Sequence, residues 1–421
     1  MSELLSDFHE VVDHMTDEEF DAAFAKAQEL SNYFREIGPK YDQENTFAYP
    51  TIQKFKESGL GAFSVPKRYG GMGGNILQTS KIISEMSRGD SAITLAYNMH
   101  FIMVGMCMGL FSETQNKQWL GRVVEGDIVF GPLSEQRAGF SGLADMKAIP
   151  QPEGGWRLYG KKVWGTLGEA ADIVTTNATI TDADGNLPES FEERVEAESF
   201  FVAEFEVDES GQGDGIRIEQ TWDALGMHAT GTHTIHFEGF YIPEDGFVCE
   251  WRAGAFGVLE WASLMFASIY LGMQYRVLEE ARAVLSKKTL GATFGAIAAA
   301  ETKVANVGHI IDGIGDMASR VELSRRVVYR TCQELVDGDD DNWPVELRFP
   351  YIGLAKTFCS DNVMHMTKRA MSLVGGQSFK KGAIFERLYR DSAASMFQPL
   401  NADQSCTYIG EQLLAPDELN D

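Results

Sequence analysis

The feature that most limits what this chain can become is a change of rhythm near Asp127 that reverses after Pro243. Upstream, Phe20, Ala23, Phe24, Ala27 and Leu30 fall at helical spacing behind the acidic turn Asp17-Glu18-Glu19. Between the two changes, β-branched and aromatic runs at 128–130, 156–158, 173–179, 200–205, 216–218 and 234–240 alternate with polar turns. Downstream, long helical patterns at 258–286, 298–335 and 351–373 are followed by a shorter one at 403–414. A period of 3.6 does not serve a strand, nor a period of 2 a helix. The chain therefore predicts an α+β multidomain fold. It has an N-terminal helical domain at 1–126, a central antiparallel β-barrel-like domain at 127–245 and a C-terminal four-helix bundle at 246–421.

The first segment predicts a helix over 17–34 and shorter ones at 51–58 and 76–86, then an apolar one at 91–110 carrying Met103, Met106 and Met108. Tyr97, Asn98 and His100 interrupt its apolar run, which makes it a buried helix and not a membrane span. The loop Tyr69-Gly70-Gly71-Met72-Gly73-Gly74 does not follow a strand into GxGxxG, so flexible linkage or close backbone packing outranks a phosphate cradle. The acidic interval 181–198 reads as a surface excursion. A formal charge of -26 argues against nucleic acid and anionic membrane surfaces. Five scattered cysteines without CxxC spacing point to reduced thiols in the cytoplasm, and the acidic N-terminus lacks the apolar core of a signal peptide.

Chemistry concentrates between residues 130 and 172. Two apolar runs each end in a small-residue turn with a hydroxyl: Gly131-Pro132-Leu133-Ser134-Glu135 and Trp164-Gly165-Thr166-Leu167-Gly168-Glu169. Such turns bring backbone N–H groups and a hydroxyl close to a flat polar ligand, and Trp164 adds a broad apolar face. A planar heteroaromatic cofactor suits them, as would an ordinary pair of β-turns.

The helical, β, four-helix order with these junctions resembles the acyl-CoA dehydrogenase superfamily of flavoproteins. Leu133-Ser134-Glu135 with Ala138-Gly139 is similar to that family's flavin loop, and Trp164-Gly165-Thr166 with Gly168 to its aromatic-x-Thr-Asn-Gly turn. Leu225-Gly226-Met227-His228-Ala229-Thr230-Gly231-Thr232 resembles its β-domain exit, and Val374-Gly375-Gly376-Gln377 with Glu386-Arg387-Leu388-Tyr389-Arg390-Asp391 a C-terminal pair. The resemblance implies FAD between the β domain and the bundle. Leu133 and Ser134 would then lie in its loop, with Trp164 against the ring and Thr166 beside N5. Gly375 and Gly376 would meet the adenine-diphosphate half of a cofactor held by a neighbouring subunit, which implies a homotetramer or homodimer.

Two departures matter. The family's proton-abstracting Glu, in a Tyr-Glu-Gly-Thr context, corresponds to Phe397-Gln398-Pro399-Leu400, which holds no proton acceptor. The alternative position on the first bundle helix falls at Ala262 and Ser263; Glu260 and His100 remain as candidate acid–base groups. Where the family has a phosphate-binding Arg, Lys287 and Lys288 precede Thr289-Leu290-Gly291, so FMN stands behind FAD as an alternative. No metal site is expected, because His233 and His236 would face opposite sides of a strand.

The expected function is flavin-dependent α,β-dehydrogenation of an acyl thioester or comparable apolar substrate. Electrons would pass to an acceptor such as an electron-transfer flavoprotein. The alternatives are a monooxygenase on the same fold, supplied by a flavin reductase, and a non-catalytic subunit paired with an active paralogue.

Overall fold

The computed structural model describes residues 15–136, 143–290, 302–338 and 347–414. The Ala138-Gly139 part of the proposed flavin loop, Gly291 and the acidic run Asp339–Asp341 lie outside these residues.

Helix α1 (Asp17–Glu44) starts at a reciprocal cap, with Glu19 N–H donating to Thr16 Oγ1 at 3.2 Å and Thr16 N–H to Glu19 Oε2 at 2.8 Å. It continues past Phe34, and through Pro39, because a second apolar face (Phe34, Gly38, Tyr41) is buried there. Helices α2 (Pro50–Ser58) and α3 (Ile76–Gly89) follow. Helix α4 (Ser91–Leu110) is capped by Asp90 Oδ1, which accepts from Ala92 and Ile93 N–H at 3.1 Å. It is the one described helix long and apolar enough to cross a membrane, and its surface is mostly buried inside the protein.

The glycine loop folds back on residues 63–65. Gly73 and Gly74 N–H groups donate to Val65 and Phe63 carbonyls at 2.9 and 2.8 Å, so those amides are already used. A Cβ on Gly71 would lie 2.1 Å from the Val65 carbonyl oxygen. Close packing explains these glycines.

The central sheet has nine strands: β1 (Val129–Phe130), β2 (Lys147–Pro150), β3 (Trp156–Thr166), β4 (Ile173–Ile180), β5 (Glu198–Glu204), β6 (Gln212–Gly213), β7 (Ile216–Glu219), β8 (Thr232–Ile242) and β9 (Phe247–Glu250). Their order is β6-β7-β8-β3-β2-β4-β5-β9, with β1 also on β4. The sheet is mixed where the sequence predicted antiparallel, because β1 and β2 run parallel to β4. Alternation of side chains is the same in both directions, so the pattern could not tell them apart. Strands β4 and β5 are buried on both faces. Val174, Phe201 and Ala203 fill the sheet's own core, while Ile173, Phe200 and Val202 join the helical core.

Helix α5 (Trp251–Lys287) is the axis of the C-terminal part and packs on α3, α4, α6 (Gly308–Asp337) and α7 (Arg348–Val374). Buried hydroxyls pin it: Ser268 Oγ meets Ser80 Oγ of α3 at 2.6 Å, and Ser87 Oγ donates to the Ile269 carbonyl at 2.7 Å. Helix α9 (Ala402–Leu414) packs on α7. The sequence pattern had not predicted α8 (Ile384–Ser392), a short helix that joins three regions. Its Arg390 Nη2 donates to Asp42 of α1 at 2.7 Å, and its Asp391 Oδ1 accepts from Met227 N–H at 2.6 Å. Its Arg387 Nη1 lies 3.1 Å from Asp90. Burial pushes the Asp391 carboxyl up to about 7, against the pull of Arg387 and the Met227 amide.

Candidate active site

Strand β3 ends in a distorted turn. Its pairing with β8 shifts register between Lys162 and Gly165, and Trp164 adopts a positive φ of 61°. Leu167 (76°) and Met227 (56°) are also left-handed. With Asn45 these are the only non-glycine positive-φ residues described, and the apolar three surround Thr166 and the strand paired with it. Backbone strain concentrated in this way is typical of sites where geometry is held for a purpose.

The turn exposes Trp164, at 63% accessibility, and props it edge-on against Trp222, with centroids 5.8 Å apart. Trp222 is fixed in turn by its Nε1–H donating to the Met227 carbonyl at 2.9 Å. Ser134 is brought alongside because Val163 N–H donates to its carbonyl at 2.8 Å. Thr166 Oγ1 lies 2.8 Å from Thr232 Oγ1, its partner in the ladder, and Thr232 Oγ1 is 2.7 Å from Thr230 Oγ1.

Beneath the turn is a buried ionic network. Lys162 Nζ, wholly inaccessible, donates to Glu135 Oε1 at 2.7 Å and Asn177 Oδ1 at 3.0 Å. Glu135 Oε2 also accepts from Asp145 N–H at 2.9 Å, and Asn177 Nδ2 donates to Glu198 at 2.7 Å. Burial lowers the Lys162 pKa, and the Glu135 charge opposes that shift. The network fixes the residues on either side of Ser134. Nothing in the sequence pointed to Lys162, which reads as one of two surface lysines until the strand's inward face is known.

Beside the turn, Glu169 is nearly buried and accepts from the Tyr49 phenol and from Gln220 Nε2 at 3.0 Å. His233 Nε2 is 3.4 Å from its other oxygen. Burial alone would raise the Glu169 pKa, but hydrogen bonds from His233, Tyr49 and Gln220 outweigh it and hold it low.

Across the molecule, the loop expected to hold a proton acceptor carries Gln398, whose Oε1 accepts from Tyr270 at 2.5 Å. Lys356, 1% exposed, donates to the carbonyls of Ser395 and Gln398, both at 2.6 Å. Leu400 N–H donates to Ser263 Oγ at 3.4 Å. Burial drops the Lys356 pKa to about 8, with only partial compensation from the Asp361 charge.

Of the two acid–base candidates, His100 bonds to Gly61 and Val129 and not to that loop. His100 is fully buried and both ring nitrogens are engaged: Nδ1 accepts from Val129 N–H and Nε2 donates to the Gly61 carbonyl, each at 2.9 Å. Burial holds it near 4, so it is a neutral link between α4 and β1, which corrects its reading as an acid or base. Glu260 is close enough to α6 for its charge to help raise the buried Cys332 thiol. Ser263 and Tyr270 of α5 both touch the Gln398 loop.

A third group lies at the end of α5. Lys288 Nζ donates to the Val374 carbonyl at 2.9 Å, which ties the end of α5 to the Gly375-Gly376 turn. Gly375, at φ 84° and ψ -169°, needs glycine, and a Cβ on Gly376 would meet open space. The Lys288 ammonium and open backbone suit an anionic ligand; the exposed indole and hydroxyl suit a flat polar ring.

Comparison with known proteins accords with this architecture. Residues 18–127 match the model of the acyl-CoA dehydrogenase N-terminal domain, and residues 257–397 that of the acyl-CoA dehydrogenase C-terminal domain. The chain belongs to the acyl-CoA dehydrogenase family. A probable acyl-CoA dehydrogenase of Mycobacterium tuberculosis is 27% identical over 371 residues, covering 85% of this chain and 86% of its own. The butyryl-CoA dehydrogenase of Megasphaera elsdenii superposes with a TM-score of 0.79 at 20% identity, over 96% of this chain and 99% of that one. TdsC of Paenibacillus sp. A11-2, a dibenzothiophene monooxygenase solved with FMN and indole, also gives 0.79 at 20% identity, over 93% and 96%. At these identities the solved structures establish the fold. An acyl-CoA dehydrogenase-type flavoprotein fold thus accommodates both reaction classes among its neighbours.

Proposed function

We propose that this acyl-CoA dehydrogenase family member is a flavin-dependent oxidoreductase of an acyl thioester or comparable apolar substrate, with the ring at the Trp164–Thr166 turn. The observation that carries the reading is that turn: a strained backbone presents an exposed indole and a threonine hydroxyl side by side. A bound flavin would supply two-electron redox chemistry. Trp164 would cover one face of the ring and exclude water from it, Ser134 would hydrogen-bond its polar edge, and Thr166 would orient it at N5. Lys287 with Gly375 and Gly376 would hold phosphate, and FAD suits this two-corner arrangement better than FMN. Pairing of two or four copies, and an electron-transfer flavoprotein as acceptor, belong to the same proposal.

The monooxygenase reading is favoured by one specific observation. Gln398 stands where proton abstraction would be needed, and Tyr270 occupies its amide oxygen. Chemistry with reduced flavin and O₂ needs no base there. One experiment separates the readings: record the visible spectrum of the purified protein, then add acyl-CoA thioesters anaerobically. Bleaching supports the dehydrogenase. Flavin that stays oxidised, yet reacts with O₂ after chemical reduction, supports the monooxygenase. A protein that takes up neither FAD nor FMN defeats both and leaves the non-catalytic subunit.

A further inference from the structure

We infer that Thr232 and Thr230 are positioning residues that set whether Thr166 presents a proton or a lone pair to the flavin, through a chain of three hydroxyls able to reverse direction. The inference rests on the proposed placement of the ring beside Thr166.

The chain follows from proton counting. Thr230 Oγ1 lies 2.9 Å from the Met227 carbonyl oxygen, which can only accept, so the single Thr230 proton is used there. Thr230 must then accept from Thr232 at 2.7 Å, and Thr232 from Thr166 at 2.8 Å. In this state Thr166 directs its proton inward and offers lone pairs to whatever lies outside. Thr230 and Thr232 are 0% and 7% exposed, so water is not at hand to replace a missing link.

The opposite state is also available. If Thr230 donates to Thr232, and Thr232 to Thr166, the Thr166 proton is released outward. The change gives up one neutral hydrogen bond at the Met227 carbonyl. That oxygen retains Trp222 Nε1–H at 2.9 Å and Thr230 N–H at 3.2 Å, so no buried acceptor is stranded. Three hydroxyl rotations thus interconvert a donor and an acceptor at one point in space, without moving a heavy atom. An oxidised flavin accepts at N5 and a reduced one donates there. A lone hydroxyl could face either form, but only a chain that reverses keeps every buried oxygen paired in both.

The test compares Thr232→Val, Thr232→Ser, Thr230→Val and Thr166→Ala as holoproteins reconstituted with FAD. Affinities for oxidised and reduced flavin and the midpoint potential are measured for each. Thr232→Val removes the inward acceptor of Thr166 and should favour the oxidised form about tenfold, a fall of ~30 mV for a two-electron couple. Thr230→Val should move the potential in the same direction by less. Thr232→Ser, which keeps the hydroxyl, should match the wild type within about twofold in affinity ratio. Two results overturn the chain while leaving the flavin site standing: a wild-type potential in Thr232→Val when Thr166→Ala is shifted, or a shift in Thr232→Ser as large as in Thr232→Val. Failure of the wild type to bind FAD would remove the site itself and the inference with it.

Discussion

The turn around Thr166 and the loop around Gln398 are both held firmly, but in opposite senses. At the turn, buried groups support an outward-facing apparatus: Lys162 and Glu135 brace the backbone while Trp164 remains exposed. At the loop, the buried groups consume the functional atoms. Tyr270 occupies the Gln398 side chain, and Lys356 clamps the main chain on both sides of Met396 and Phe397. The comparison teaches that rigidity alone does not mark a reactive position. What matters is whether the bracing leaves a donor or acceptor over for a ligand.

The largest expected effect breaks the bracing of the turn. Lys162→Met leaves the buried Glu135 carboxylate with backbone N–H donors but no counter-charge and should cost about 3–5 kcal/mol in stability. Chemical denaturation measures it, and flavin retention should fall in parallel. Next, Thr166→Ala removes the hydroxyl proposed to face the ring and should slow flavin reduction by about 10²-fold. Its effect on folding should stay within about 1–2 kcal/mol, since only one partly buried hydrogen bond is lost. If reduction kinetics and spectrum are unchanged, the ring does not lie at this turn.

Gln398→Glu probes the other side. Gain of anaerobic bleaching by acyl-CoA would show that the loop lacks only a base; no gain alongside a competent flavin strengthens the monooxygenase reading. A pH-dependent effect concerns Lys356. Burial lowers its pKa to about 8 from 10.5, so between those values the unfolded chain binds a proton that the folded chain has released. Stability in that window therefore rises with pH. The increment should vanish in Lys356→Met, as shown by urea unfolding of both proteins at pH 8 and pH 10. A neutral amine still donates to two carbonyls, so the clamp persists across the window.

Much of the architecture was legible. Helix α4 spans the residues its apolar run predicts, because the composition of one segment is a local property. Helix α8 escaped notice because it is short and its polar residues bond to distant segments, with no repeat of its own. The candidate site was legible only as two turns: the sequence singled out Ser134, Trp164 and Thr166, and the Val163 N–H to Ser134 carbonyl bond sets those turns side by side. It was unreadable where orientation decides it. Lys162 and Lys356 look like ordinary surface lysines in the sequence, and only the register shift in β3 and the inner face of α7 show them buried. His100 misled for the complementary reason, since its two hydrogen-bond partners lie 39 and 29 residues away.

Helix α8 ties together chain positions that synthesis delivers at very different times. Asp42 and Met227 emerge from the ribosome long before Arg390 and Asp391 can reach them. A nascent or truncated chain ending before residue 384 would leave the Met227 amide, and with it the threonine strand, without its anchor. Cofactor capture should accordingly wait for the completed polypeptide.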